Sequence, residues 1–193
     1  MKQETLESLV LDIIEKSELM VDLSYSSLLY DNTTIAKEVY DLEQHIDQQF
    51  EKIHQDVFEG VKKGTLTVKD ARALSKLARA GEEIADAARE IADVQLRDVE
   101  LHPILKMSIR ESDEIISKIL VSSESMLCGK TLGELKLGSE TGMTVIAMRH
   151  QHRWLYGPTK NTRIDADDVL FVKGPEDGEA HLIEIAEGQI QEI

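Results

Sequence analysis

The sequence predicts an α+β protein, an N-terminal antiparallel helical bundle followed by a small α+β domain. Three observations predict it. Two long apolar stripes at helical spacing fill residues 35–61 and 74–92. Beyond residue 110 the pattern changes to short apolar runs separated by turn residues. Only three of the 11 glycines precede residue 110, and all three prolines lie at or beyond 103, so the halves use different local structure. The residue before a proline is driven out of the helical region, which makes His102-Pro103 the natural hinge. The predicted boundaries are 1–105 for the helical domain and 110–193 for the second.

In the first half, Leu6, Leu9, Val10, Ile13 and Ile14 start a helix, and Met20, Leu23, Ser24, Ser27 and Leu28 carry it to about Tyr30. Asp31-Asn32-Thr33-Thr34 breaks it with residues that favour turns and N-caps. Ile35, Val39, Leu42, Ile46, Phe50, Ile53, Val57 and Val61 then define one stripe, with Gly60 and Gly64 marking its end. Thr67 opens the third helix, with Asp70 in a capping-box-like position. Leu74, Leu77, Ala78, Gly81, Ala85, Ala88, Ile91 and Ala92 form its stripe, small enough for close helix approach. A short loop makes the last two helices antiparallel neighbours. Three helices leave apolar surface over, which predicts a homodimer.

In the second half, Ile115, Ile116, Ile119 and Val121 predict a strand, and Thr131–Leu137 a short helix stopped by Gly138. Met143–Arg149 and Arg153–Tyr156 predict strands joined by a polar turn at His150-Gln151-His152. Asp168–Lys173 predicts a last strand closed by Gly174-Pro175, and Glu179–Glu187 a final helix.

Composition narrows the function. Twenty-two Lys and Arg against 37 Asp and Glu give a formal net charge of −15, which repels phosphate backbones and argues against nucleic-acid binding. The longest apolar runs are four residues, Val145–Met148 and Val169–Val172, against the roughly 20 a membrane span needs. Residues 1–15 lack the apolar core of a signal peptide. A soluble cytoplasmic protein without membrane insertion is expected. The single cysteine, Cys128, excludes an internal disulfide and a cysteine-built metal site. Gly-x-Ser-x-Gly and Gly-x-Gly-x-x-Gly are absent, and Glu124 stands where a phosphate loop ending at Gly129-Lys130-Thr131 needs glycine, so no motif supports an enzyme.

Leu127-Cys128-Gly129-Lys130-Thr131-Leu132-Gly133-Glu134-Leu135, Gly142–Arg149, Trp154, Pro158, Thr162, Ile164 and Asp168-Val169-Leu170 occur in an order that resembles the TrkA C-terminal (RCK C-terminal) domain of potassium channel and transporter regulators. One departure is Asp167-Asp168, where that family usually has Gly-Asp. The helical half resembles a PhoU-like domain. That family binds metal clusters with Glu/Asp-xxx-Asp motifs, matched here by Glu43-xxx-Asp47 and Glu82-xxx-Asp86. Both pairs are equidistant from the Gly64-Thr65 turn, so they are predicted to sit level across the hairpin, each on one helix face. Four level carboxylates suit a divalent cation, whereas Arg79 and Arg89 nearby offer ion pairs instead.

The TrkA-C resemblance implies a regulatory or accessory cytoplasmic protein that acts on a membrane potassium or other cation transporter or channel, without catalysis. It also implies a homodimer that senses a small ligand or ion through this domain, cyclic di-AMP between protomers among the candidates. Arg149, His150, His152 and Pro158 are the expected ligand-binding residues. The alternative is a PhoU-like metal-binding regulator of phosphate uptake or signalling, with Glu43, Asp47, Glu82 and Asp86 as ligands.

Overall fold

The computed structural model describes residues 5–97, 114–151 and 153–190. The chain divides into two compact units, residues 1–100 and 101–193. The His102-Pro103 hinge lies outside the described residues.

The first unit holds three helices, α1 (Leu6–Leu29), α2 (Thr33–Lys63) and α3 (Val68–Leu96). Each starts on a side-chain cap. Thr5 accepts from the Ser8 amide, Asn32 from the amides of Thr34 and Ile35, and Thr67 from the Asp70 amide. These bonds satisfy amides that a helix leaves without an internal acceptor. Gly64 ends α2 at φ 72°, a left-handed conformation suited to glycine.

The α2 stripe packs as expected, with Ile35, Val39, Leu42, Ile46, Ile53 and Val57 buried. On α3 the buried residues are Ala71, Ala78, Gly81, Ala85, Ala88 and Ala92, so the packing edge is almost entirely small. A Cβ on Gly81 would lie 2.5 Å from Ile13 Cγ2, and glycine is therefore required for this approach of α3 to α1. Leu77, expected on the packed stripe, is instead 50% exposed. It lies about 100° around the helix from Ala78, which takes the packed position.

Among the polar groups built into this interior is a lysine. Lys16 is only 5% exposed, and its ammonium donates to Asp12 Oδ2 at 2.5 Å and to Gln49 Oε1 at 2.8 Å. The Gln49 amide donates in turn to Asp12 Oδ2. Residues from α1 and α2 thus close a small ring of hydrogen bonds.

The second unit is an antiparallel four-stranded sheet of β1 (Glu114–Leu120), β2 (Thr144–His150), β3 (Arg153–Tyr156) and β4 (Val169–Pro175), in the order β1-β4-β2-β3. Two one-turn helices, α4 (Leu132–Leu135) and α5 (Leu137–Glu140), precede β2, and α6 (Glu176–Ala186) follows β4. One face of the sheet forms a core in which Ile119, Met148, Leu170 and Val172 meet Leu135, Leu137, Leu182 and Ile185.

Two sequence expectations are corrected here. The single helix over Thr131–Leu137 is split, because Lys136 takes a left-handed conformation with φ 49°. Leu135 and Leu137 are both buried, and two residues two apart in one helix point to nearly opposite sides. The break at Lys136 turns both inward. Gly138 consequently lies within α5 rather than stopping a helix. The final helix starts at Glu176, three residues earlier than expected, with Pro175 as N-cap. Glu176, Asp177 and Glu179 in its first turn complement the positive end of the helix dipole.

Candidate functional site

The β2–β3 hairpin sets the positions of the expected ligand-binding residues. Gln151 turns the chain at φ 55°, and the register places Arg149 opposite Trp154 and His150 opposite Arg153. Successive strand residues point to opposite faces, so Arg149 and His150 diverge. On the face opposite the α6 core, the Arg149 guanidinium lies over the Trp154 ring, 5.3 Å from its centroid. Trp154 stacks on Tyr156 at 5.7 Å and on fully buried Phe171 at 5.0 Å. The result is a cation held on an aromatic platform.

His150 instead borders a cavity of about 260 Å³ shared with Arg153, Trp154, Arg163, Asp165 and Asp168. Asp168 is 2% exposed, and its carboxylate is fully engaged. Oδ1 lies 2.5 Å from His150 Nδ1, and Oδ2 accepts from the Asp165 amide at 2.8 Å. Pro158 lines a separate cavity of about 340 Å³, with Lys136, Ser139, Thr144, Thr159 and Lys160. The close approach of Gly133 to Lys160 shapes it, since the Gly133 amide donates to the Lys160 carbonyl at 2.8 Å.

In the helical unit Glu43, Asp47, Glu82 and Asp86 feel one another's charge across α2 and α3. Burial, with Asp47 and Asp86 close by, pushes the Glu43 carboxyl above its ordinary range. Burial with Asp86 and Asp47 does the same to Glu82. Arg89 enters this group. Its Nε lies 2.9 Å from Glu43 Oε1, and an Nη lies 3.8 Å from Asp86 Oδ1. Tyr40 braces that arginine, with the guanidinium 5.9 Å from the ring centroid and the hydroxyl donating to Asp93. Arg79 turns away to Glu83, at 3.7 Å. Among the described residues, no group of three or more His, Cys, Asp or Glu side chains is arranged to hold a metal ion.

Comparison with known families assigns both units. The TrkA-C domain model matches residues 116–186, and the PhoU domain model matches residues 10–94. The chain joins a PhoU domain to a TrkA-C domain. No curated protein sequence matches it. Among solved structures, it is similar to an RCK_C domain dimer of S. agalactiae BusR in complex with c-di-AMP. Identity there is 28% over 40% of this chain and 96% of that chain, with a TM-score of 0.38. It is similar also to the RCK C domain of the potassium transport protein KtrA in complex with cyclic diadenosine monophosphate. That match has 15% identity over 42% of this chain and 94% of that chain, with a TM-score of 0.35. A third similar structure is S. agalactiae BusR in complex with its busAB-promotor DNA, 20% identical over 73% of this chain and 97% of that chain, TM-score 0.37.

Within one TrkA-C domain the expected ligand residues do not converge. Arg149 stands on one sheet face, His150 on the rim of one cavity and Pro158 in another, while His152 lies outside the described residues. Sequence reasoning missed the partners that organise them, namely Trp154 beneath Arg149 and Asp168 behind His150. The hairpin register held the signal for Trp154, because a two-residue turn after His150 places 149 against 154. Burial and the negative charges of Asp165, Asp168 and Asp167 raise the Cys128 thiol above its ordinary range, and the thiol donates to the Ser122 carbonyl. No helix among the described residues is long and apolar enough to cross a membrane.

Proposed function

We propose that this protein regulates potassium or other cation transport, sensing a small ligand through a dimeric TrkA-C domain. The TrkA-C match over residues 116–186 supports the regulatory role. The observation that carries the ligand reading is Arg149 on its aromatic platform. The ring face attracts the guanidinium and holds it at the sheet surface, and a guanidinium is the side chain best suited to meet a phosphate. A two-fold dimer presents two such arginines, and cyclic di-AMP is itself two-fold with two phosphates. Binding shifts the dimer between arrangements only through unequal affinity for them, and a transporter would then meet an altered surface. The metal reading on Glu43, Asp47, Glu82 and Asp86 has less support, because Arg89 already pairs with Glu43 and Asp86.

Calorimetric titration of the full chain with cyclic di-AMP tests the ligand reading, with AMP and NAD as controls. The expected result is one cyclic di-AMP per two chains, at least tenfold weaker binding in Arg149→Ala and an intermediate loss in Arg149→Lys. No binding by the parent chain, or unchanged affinity in Arg149→Ala, would overturn it.

A further inference from the structure

Helix α3 carries a second apolar face that the bundle does not use. Ala73, Leu77, Ala80, Ile84, Ala87 and Ile91 follow one another at steps of 4-3-4-3-4. That 3.5-residue period is the spacing of a coiled-coil seam. Leu77 is 50% exposed and Ile84 45% exposed, Ile91 is half-buried, and the three alanines are exposed. The residues α3 packs inward, from Ala71 to Ala92, lie on a different face.

We propose that a second copy of this chain covers this seam, its α3 running antiparallel to the first. The argument is self-complementarity. With the two-fold axis between Ala80 and Ile84, Ala73 faces the partner's Ile91, Leu77 faces the partner's Ala87, and Ala80 faces the partner's Ile84. The symmetry repeats each pairing, so every layer sets one large side chain against one alanine. Such layers fill space evenly and let the helices approach closely. A parallel pairing sets Leu77 against its own copy and Ala80 against its own copy, alternating crowded layers with empty ones. The flanking charges agree with the antiparallel choice. Lys76 comes within about 3 Å of the height of the partner's Glu90 on both sides of the axis, and exposed flanking charges of this kind set orientation. Glu83 meets its own copy near the axis, where Arg79 at 3.7 Å offsets the repulsion.

Disulfide trapping tests the pairing, and it reads this contact separately from any association of TrkA-C domains. The full chain carrying Cys128→Ser, Leu77→Cys and Ala87→Cys is oxidised under mild conditions and run on a denaturing gel. Most of it is expected to migrate as a covalent dimer that reductant dissolves. The single variants Leu77→Cys and Ala87→Cys stay monomeric, because like residues of the two copies lie about 15 Å apart along the axis. A disulfide spans at most about 7 Å between Cα atoms. Adding Ala80→Glu is expected to cut the trapped fraction at least tenfold with helicity unchanged, since residue 80 is exposed. If the double variant folds poorly, Ala73→Cys with Ile91→Cys probes the same register. A folded double variant that stays monomeric, or single variants that link as readily as the double, would overturn the proposal.

Discussion

The His150 imidazole is tied through Nδ1 to the buried carboxylate of Asp168, at 2.5 Å, joining the end of β2 to the residue that leads into β4. The same carboxylate holds the loop before β4 through the Asp165 amide. Removing it strands two donors at once, whereas removing the half-exposed imidazole leaves the amide bond in place. Asp168→Ala is therefore expected to cost about 1–3 kcal/mol, and His150→Ala clearly less. Denaturant unfolding followed by the fluorescence of Trp154, the only tryptophan, checks this for the TrkA-C domain. Equal losses in the two variants would contradict the ordering.

Asp167, beside it, adopts φ 65° while its amide donates to the Val121 carbonyl at 2.9 Å. Left-handed backbone strains any residue with a Cβ, although aspartate tolerates it better than most. Asp167→Gly is expected to stabilise the domain by about 0.5–1 kcal/mol, the relief of strain exceeding the added flexibility of the unfolded chain. Asp167→Val goes the other way. Midpoints in the same fluorescence assay decide it, and a destabilised glycine variant would refute the strain argument.

The carboxylate group of the PhoU domain makes a pH prediction. Glu43 and Glu82 are both raised above the ordinary 4.5, so the native state takes up protons at higher pH than the unfolded chain. Just above that value the folded form carries the extra protons, and its stability falls as pH rises through the folded pKa values. Acidification from neutrality toward pH 4.5 is accordingly expected to raise the melting temperature of the helical signal. Glu43→Gln with Glu82→Gln should flatten the rise. At lower pH the slope reverses as Asp93 is protonated, which the Tyr40 hydroxyl holds below its ordinary range. A melting temperature that falls monotonically from neutrality would refute the assignment.

What the chain shows by itself is the information carried by periodicity and by local hydrogen bonding. The α2 stripe, the caps at Asn32 and Thr67 and the left-handed Gly64 each follow from residues within a few positions of one another. Leu77 escaped because α3 has two apolar faces, and composition does not say which one the bundle takes. The break at Lys136 escaped because only the need to bury both Leu135 and Leu137 forces a lysine left-handed. Arg149 and Pro158 look adjacent in the hairpin, yet strand alternation and the fold of α4 and α5 send them to different places. The insertion of Arg89 among the carboxylates depends on Tyr40, nearly 50 residues away in sequence.

Helices whose contacts are mostly Ala, Val, Leu and Ile can slide, since one apolar turn resembles the next. Lys16 removes that freedom. Shifting α1 along α2 by one turn, about 5.4 Å, would carry its ammonium away from Gln49 and leave part of its hydrogen bonding unmet inside the bundle, at a cost of about 1–3 kcal/mol. The ring of Lys16, Asp12 and Gln49 therefore acts as a key in a lock, selecting one alignment of α1 on α2. Through the contact of Ile13 with Gly81, it also fixes the height at which α3 stands.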